Sequence, residues 1–114
     1  AGHAPSDIAV LTWRGLAHSC IAGLDTLAGH ATRRFTGRYD DAGRAIFTAG
    51  ELRLETLFRF KGQAADAVVI TEIDFAQWDE AVRRRLFVGL TRARLRVAMV
   101  GTQRVVEIIE HQIG

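Results

Sequence analysis

A chain of 114 residues, 48% hydrophobic and 25% charged, suits one soluble globular domain with a real core. The formal net charge of +2 permits a polyanionic partner without demanding one, and arginine carries it: Lys61 is the single lysine among 15 basic residues. One cysteine, Cys20, excludes an internal disulfide and a cysteine-based zinc site and points to a reducing, cytoplasmic setting. No apolar run reaches the length of a membrane span, and the opening residues lack the charged-then-apolar pattern of a leader.

Residues 1–6 read as a linker and hold the only proline, Pro5. "DIAVLT" (7–12) is a short apolar run suited to a strand buried on both faces. In "LAHSCIAGLDTLAG" (16–29) the apolar positions Leu16, Cys20, Ile21, Leu24, Leu27 and Ala28 recur at helical spacing, with Gly29 as a stop. That spacing predicts a helix with Cys20 packed on its apolar face. "RRFTGRYDDAGRAIF" (33–47) predicts a hairpin, its arms flanking the polar loop Asp40–Gly43. "ELRLETLFRF" (51–60) alternates, with Leu52, Leu54 and Thr56 on one side and Arg53 and Glu55 on the other.

"AVVIT" (67–71) reads as a central strand. In "QWDEAVRRRLFVGLTRA" (77–93) Trp78, Val82, Leu86, Gly89, Leu90 and Ala93 share one helical face, and Asp79 and Glu80 lie in the first turn where negative charge is favoured. Gly89 on that face would let the helix approach the sheet closely. "LRVAMV" (95–100) reads as a third buried strand, and "QRVVEIIEHQI" (103–113) as a closing helix. The fold class is therefore α/β: a mostly parallel sheet flanked by helices, with a small β-hairpin inserted. Ligands of such sheets bind beyond the carboxyl ends of the strands.

The sequence holds no GxxxxGK[ST] phosphate loop, no acidic pair closing a strand to hold magnesium, no GxGxxG, no nucleophile elbow and no HExxH. His3, His18, His30 and His111 are scattered without ligand spacing, so no metal site is expected. Two stretches carry more. In "TLFRFKGQAADAVVIT" (56–71) the Lys61-Gly62 pair lies in a tight loop before a buried strand, where glycine allows a sharp turn or close approach to a ligand. In "RRRLFVGLTRAR" (83–94) Arg92 falls on the flank of the apolar stripe, about 90° from its centre by the helical period. Taken alone, an ordinary turn with a solvated lysine and a snorkelling arginine account for both.

In this order, the two stretches resemble motifs V and VI of the superfamily 1 helicases of the UvrD/Rep type, found in the second RecA-like domain of those motors. Motif V of the family runs roughly T-x-h-x-x-K-G-x-E before an apolar strand, and motif VI R-R-x-x-Y-V-A/G-h-T-R-A. Residues 7–21 sit where the family has motif IV, motif V falls on 56–71 and motif VI on 83–94, within a single second RecA-like domain over 7–114. The resemblance implies that Arg92 is the catalytic arginine reaching the γ-phosphate of ATP held by the first domain. Lys61, Gly62, Gln63, Thr91 and His18 are the further nucleotide-binding candidates it suggests, and Thr56 and Arg59 are candidates for single-stranded DNA phosphates. ATP and Mg2+ would be held mainly by the first RecA-like domain of the same chain, so this domain alone would be inactive.

Several positions depart from the family pattern. The motif V glutamate that contacts the ribose falls on Ala64, and the motif V histidine on Phe58. The motif VI tyrosine is Phe87, and the motif IV arginine has no clear counterpart, His18 or Ser19 standing in that region. The hairpin at 33–47 takes the place of a larger insertion, as in the shorter, RecD-like members. Besides a motor domain, a degenerate helicase domain kept as a binding or regulatory module fits these departures. Arg83, Arg84 and Arg85 read as a solvated helix face, and Trp13 and Trp78 as packing residues with base stacking as the alternative.

Overall fold

The computed structural model describes residues 4–14, 19–21, 23–60 and 62–113. After a single 3-10 turn at Pro5–Asp7, the elements are β1 (Ile8–Thr12), β2 (Thr26–Leu27), β3 (His30–Arg33), β4 (Phe35–Tyr39), β5 (Ala45–Phe47), β6 (Leu52–Thr56), β7 (Ala65–Ile73), α1 (Glu80–Leu90), β8 (Ala93–Gly101) and α2 (Gln103–Ile113). Among the described residues the main sheet has the order β2-β3-β6-β1-β7-β8, and β4 and β5 pair as a separate hairpin. Every neighbouring pair of the main sheet is parallel except β2 with β3. This is the expected α/β architecture.

β1 and the middle of β7, Ala67–Ile70, are largely apolar because both strands lie inside the sheet with a core on each face. On one face Leu11, Val68 and Ile70 meet Leu57 and Phe60, Leu86 of α1, and Val105 and Ile109 of α2. On the other, Val10, Leu52 and Leu54 form a smaller core closed by Ile21 and Leu27. The alternation read in residues 51–60 holds over β6, where Leu52, Leu54 and Thr56 are buried and Arg53 and Glu55 half-buried. Thr12 and Thr32 are also buried, and both hydroxyls donate inside the protein: Thr12 to Glu72, Thr32 to the Leu24 carbonyl.

Three expectations need correction. The helix predicted over 16–29 is absent from its described part: Thr26–Leu27 pairs antiparallel with His30 and Ala31 across a tight turn at Ala28 and Gly29, whose φ values of 51° and 81° are both positive. That left-handed pair defines a two-residue hairpin turn, and pairing in the sheet overrides the apolar periodicity. Residues 16–18 and Ala22 of that predicted helix lie outside the described residues. β8 is not buried: it is the edge strand, with hydrogen-bonded neighbours on one side only, and Leu95 and Val100 are exposed. Cys20 is exposed on a bend rather than packed on a helix face.

The hairpin predicted at 33–47 forms from shorter arms, because β3 continues the main sheet to Arg33 before the chain turns into β4. α1 begins as its sequence suggests: Asp79 is the N-cap, its carboxylate accepting from the Val82 N–H at 2.8 Å, with Glu80 in the first turn. Trp78 precedes the helix and packs half-buried on the core beside Val82 and Leu90.

Gly89 faces the sheet. A Cβ there would lie 2.6 Å from Ile70 Cδ1 and 3.0 Å from Leu57 Cδ1, and Ile70 is itself fully buried. Gly89→Val should therefore lower stability by about 1–3 kcal/mol through overpacking, read as a drop in the midpoint of thermal or urea unfolding. An unchanged midpoint would show that the helix stands further from the sheet.

Candidate functional site

α1 runs antiparallel to the parallel strands, so its C-terminus returns to their amino ends. The turn there is held by backbone bonds from Thr91 N–H to the Phe87 carbonyl (3.0 Å) and Arg92 N–H to the Gly89 carbonyl (3.2 Å). The Thr91 hydroxyl and Arg92 Nε both donate to the Val88 carbonyl, at 3.0 and 3.3 Å. These contacts satisfy carbonyls that a helix end leaves open. One further bond joins this end to the connection between β6 and β7: Ala65 N–H donates to the Arg92 carbonyl at 3.0 Å, and β7 and β8 pair from Ala65 and Ala93 onward. The half-buried Arg92 has no carboxylate within 4.0 Å among the described residues. Its terminal nitrogens make no hydrogen bond to another described residue.

Residues 51–100 match the UvrD-like helicase C-terminal domain family. The matched segment runs from the start of β6 through α1 and nearly to the end of β8, so it holds both sequence stretches that pointed to this family. No curated protein matches the chain.

Within and around the matched segment the candidate residues fall into separate groups. Thr56 ends β6 level with Thr12 and Thr71, at the carboxyl edge. Arg92 precedes Ala93, which is level with Ala65, at the amino edge. Six residues of strand separate those levels, roughly 20 Å at the rise of a β-strand. Arg92 is thus not at the carboxyl edge where ligands of such sheets were expected. Gly62 and Gln63 lie on the connection that carries the chain from one edge to the other, and Gly62 takes a positive φ of 86° that suits glycine. Lys61 and His18 lie outside the described residues.

The two candidates for DNA phosphates are engaged within the fold. Thr56 is buried, and its hydroxyl accepts the Arg59 N–H at 3.1 Å, capping the turn at 57–60. Arg59 lies 4.1 Å over the Phe35 ring of the hairpin and 3.5 Å from Glu55. Among the triple-arginine run, Arg83 and Arg84 pair with Glu80 on the solvated face. Arg85 differs, stacking 4.6 Å over Trp13 and donating to the Trp13 carbonyl, with burial pulling its pKa below the ordinary arginine value. Phe58 and Phe87 are both exposed.

The sequence reading missed Glu72. It sits at the end of β7 with a left-handed φ of 58°, where the β7–β8 register slips by a residue. Such a backbone costs a non-glycine residue on the order of 1 kcal/mol or more. Its carboxylate compensates by accepting from Thr12 Oγ1 (2.7 Å), from Ser19 Oγ, and from the Cys20 N–H (2.9 Å). These bonds fasten residues 19–21 to the carboxyl edge and bring Ile21 onto the smaller core. An acidic residue closing an apolar strand was the only signal in the sequence.

Burial alone would raise the Glu72 pKa; the bonds from Ser19, Cys20 and Thr12, with Arg14 nearby, outweigh it and leave the carboxyl below its ordinary value. A lowered folded-state pKa gives stability that is complete above the unfolded value and lost as pH falls through the folded one. The stability gap between wild type and Glu72→Gln should therefore be widest near neutrality and close on acidification from about pH 5 downward. Urea midpoints across that range check it, and a gap independent of pH would remove the charge from the account.

Proposed function

We propose that this chain is the second RecA-like motor domain of an ATP-dependent DNA helicase or translocase, and that Arg92 is its catalytic arginine. The observation that carries the reading is the bond between Ala65 N–H and the Arg92 carbonyl, which holds the end of α1 against the connection bearing Gly62 and Gln63. It is supported by the match of residues 51–100 to the UvrD-like helicase C-terminal domain and by a guanidinium with no carboxylate within 4.0 Å among the described residues. In this reading Arg92 approaches the γ-phosphate when the two RecA-like domains close, and its charge offsets that on the transferring phosphoryl group. Arginines in that role are worth on the order of 10³ to 10⁵ in rate.

Thr91 sets the helix end from which Arg92 projects. Lys61, Gly62, Gln63 and His18 are the further candidates for nucleotide contact, and Thr56 and Arg59 for the single-stranded DNA track. No group of three His, Cys, Asp or Glu side chains able to hold a metal occurs among the described residues. Mg2+ in this reading belongs to the first domain with the bulk of the ATP site. That first domain of the same chain and single-stranded DNA are the partners.

A non-catalytic module is the second reading, and Ala64 is what favours it. Where the family has a ribose-binding glutamate, Ala64 offers only a carbonyl, already accepting from Arg53 Nη2 at 3.2 Å. Arg92→Ala in the intact protein decides between them. DNA-stimulated ATP hydrolysis should fall by on the order of 10³ or more, while stability changes by less than about 1 kcal/mol because only one long hydrogen bond is lost. Near-normal turnover in the variant would refute the catalytic role, and an intact wild type without hydrolysis would favour the module.

A further inference from the structure

The parallel register of β3 and β6 sets Arg33 directly beside Arg53. Like charges abreast on neighbouring strands are destabilising, and in a parallel pair the backbones are only about 4.8 Å apart. No carboxylate lies within 4.0 Å of either guanidinium among the described residues. Instead each lies over an aromatic ring, Arg33 4.9 Å from the centroid of Phe47 and Arg53 5.3 Å from that of Phe60. These two arginines and two rings, with Gln63 and Glu55, line a pocket of about 230 Å³.

Burial and then the charges of Arg94 and Arg33 pull the Arg53 pKa below its ordinary value, so the cluster is electrostatically frustrated. Glu55 does not relieve it. Its carboxylate accepts the Thr56 N–H at 3.0 Å and faces Arg59 at 3.5 Å, and burial outweighs both in raising its pKa. Arg94 is paired elsewhere, with Asp66 at 3.3 Å.

We propose that the pocket between Arg33 and Arg53 is a phosphate-binding site, built to take one phosphate group of a nucleotide or of a nucleic-acid backbone. Two guanidiniums lining one pocket, Arg53 with a single bond from Nη2 to the Ala64 carbonyl at 3.2 Å, offer further donor edges matched to phosphate oxygens. The Phe47 and Phe60 rings hold them in place without neutralising them, as a carboxylate would. Gln63 adds a neutral amide at the same wall. The site requires nothing of Arg92 and stands whether or not the motor reading does.

Nuclear magnetic resonance of the arginine Nε–H groups and the Gln63 amide of this chain provides the test, with inorganic phosphate, ATP and oligothymidylate as probes and thymidine as the phosphate-free control. Arg33, Arg53 and Gln63 signals should move saturably with the phosphate-bearing probes and stay still with thymidine. Tighter binding of ATP would assign the pocket to free nucleotide, and tighter, salt-sensitive binding of oligothymidylate to a nucleic-acid backbone. Affinity should weaken at least about tenfold in the Arg33→Gln/Arg53→Gln double variant, the loss expected for charge-assisted hydrogen bonds. Arg33→Gln alone, at an exposed position, keeps the test if the double variant does not fold.

Still signals at millimolar probe, or undiminished affinity in a folded variant, would overturn the assignment. Arg92→Ala should leave these shifts in place, so failure of the catalytic assignment and failure of this site register in different measurements.

Discussion

Helix α1 can lie against β7 only because residue 89 has no side chain. Ile70 and Leu57 fill the space that a Cβ would need, and Leu86 one turn earlier completes the same contact. The close approach fixes the height at which the helix ends, and so where Thr91 and Arg92 emerge. It also brings the start of β8 into register with the start of β7, and the Ala65–Arg92 backbone bond then ties the junction to the connection between β6 and β7. A bulkier residue would move the helix outward and break this alignment before any polar contact was touched.

Arginine does a second kind of work across the molecule. Among the described residues five guanidiniums lie over aromatic rings: Arg33, Arg53, Arg59, Arg85 and Arg104, over Phe47, Phe60, Phe35, Trp13 and Phe75. The hairpin is joined to the rest through Arg33 and Arg59, and the turn after β1 to helix α1 through Arg85, which also bonds the Trp13 carbonyl. Arg104 likewise donates to the Phe75 carbonyl. A planar, weakly hydrated cation can stack and donate at once, which a lysine ammonium cannot do. The scarcity of lysine thus has a structural reason in addition to any polyanionic ligand.

The two edges of the sheet use opposite strategies. At the carboxyl edge, Glu72 is saturated with donors and holds the backbone of residues 19–21, so its charge is spent on the fold. At the amino edge, Arg92 has no carboxylate within 4.0 Å among the described residues, and the Arg33–Arg53 pair on β3 and β6 is in the same condition. Satisfied charge makes a scaffold, and unsatisfied charge of one sign leaves a place for a ligand of the other.

The sequence by itself determined the strands β1, β6 and β7, the helices α1 and α2, the hairpin, and the face on which Gly89 sits. Each of these rests on local periodicity, a cap or a turn, which neighbouring residues settle among themselves. Only tertiary structure decided that residues 26–33 pair in the sheet rather than extend a helix, since strand pairing is a contest between distant segments that apolar spacing does not record. The exposure of β8 follows from strand order, and strand order is absent from any short window of sequence. The same holds for the charged groups. Arg92 was visible as an arginine at the end of an apolar helix, but its distance from the carboxyl edge was not. Glu72 with its donors, and Arg33 beside Arg53, come together only when parallel strands set their registers.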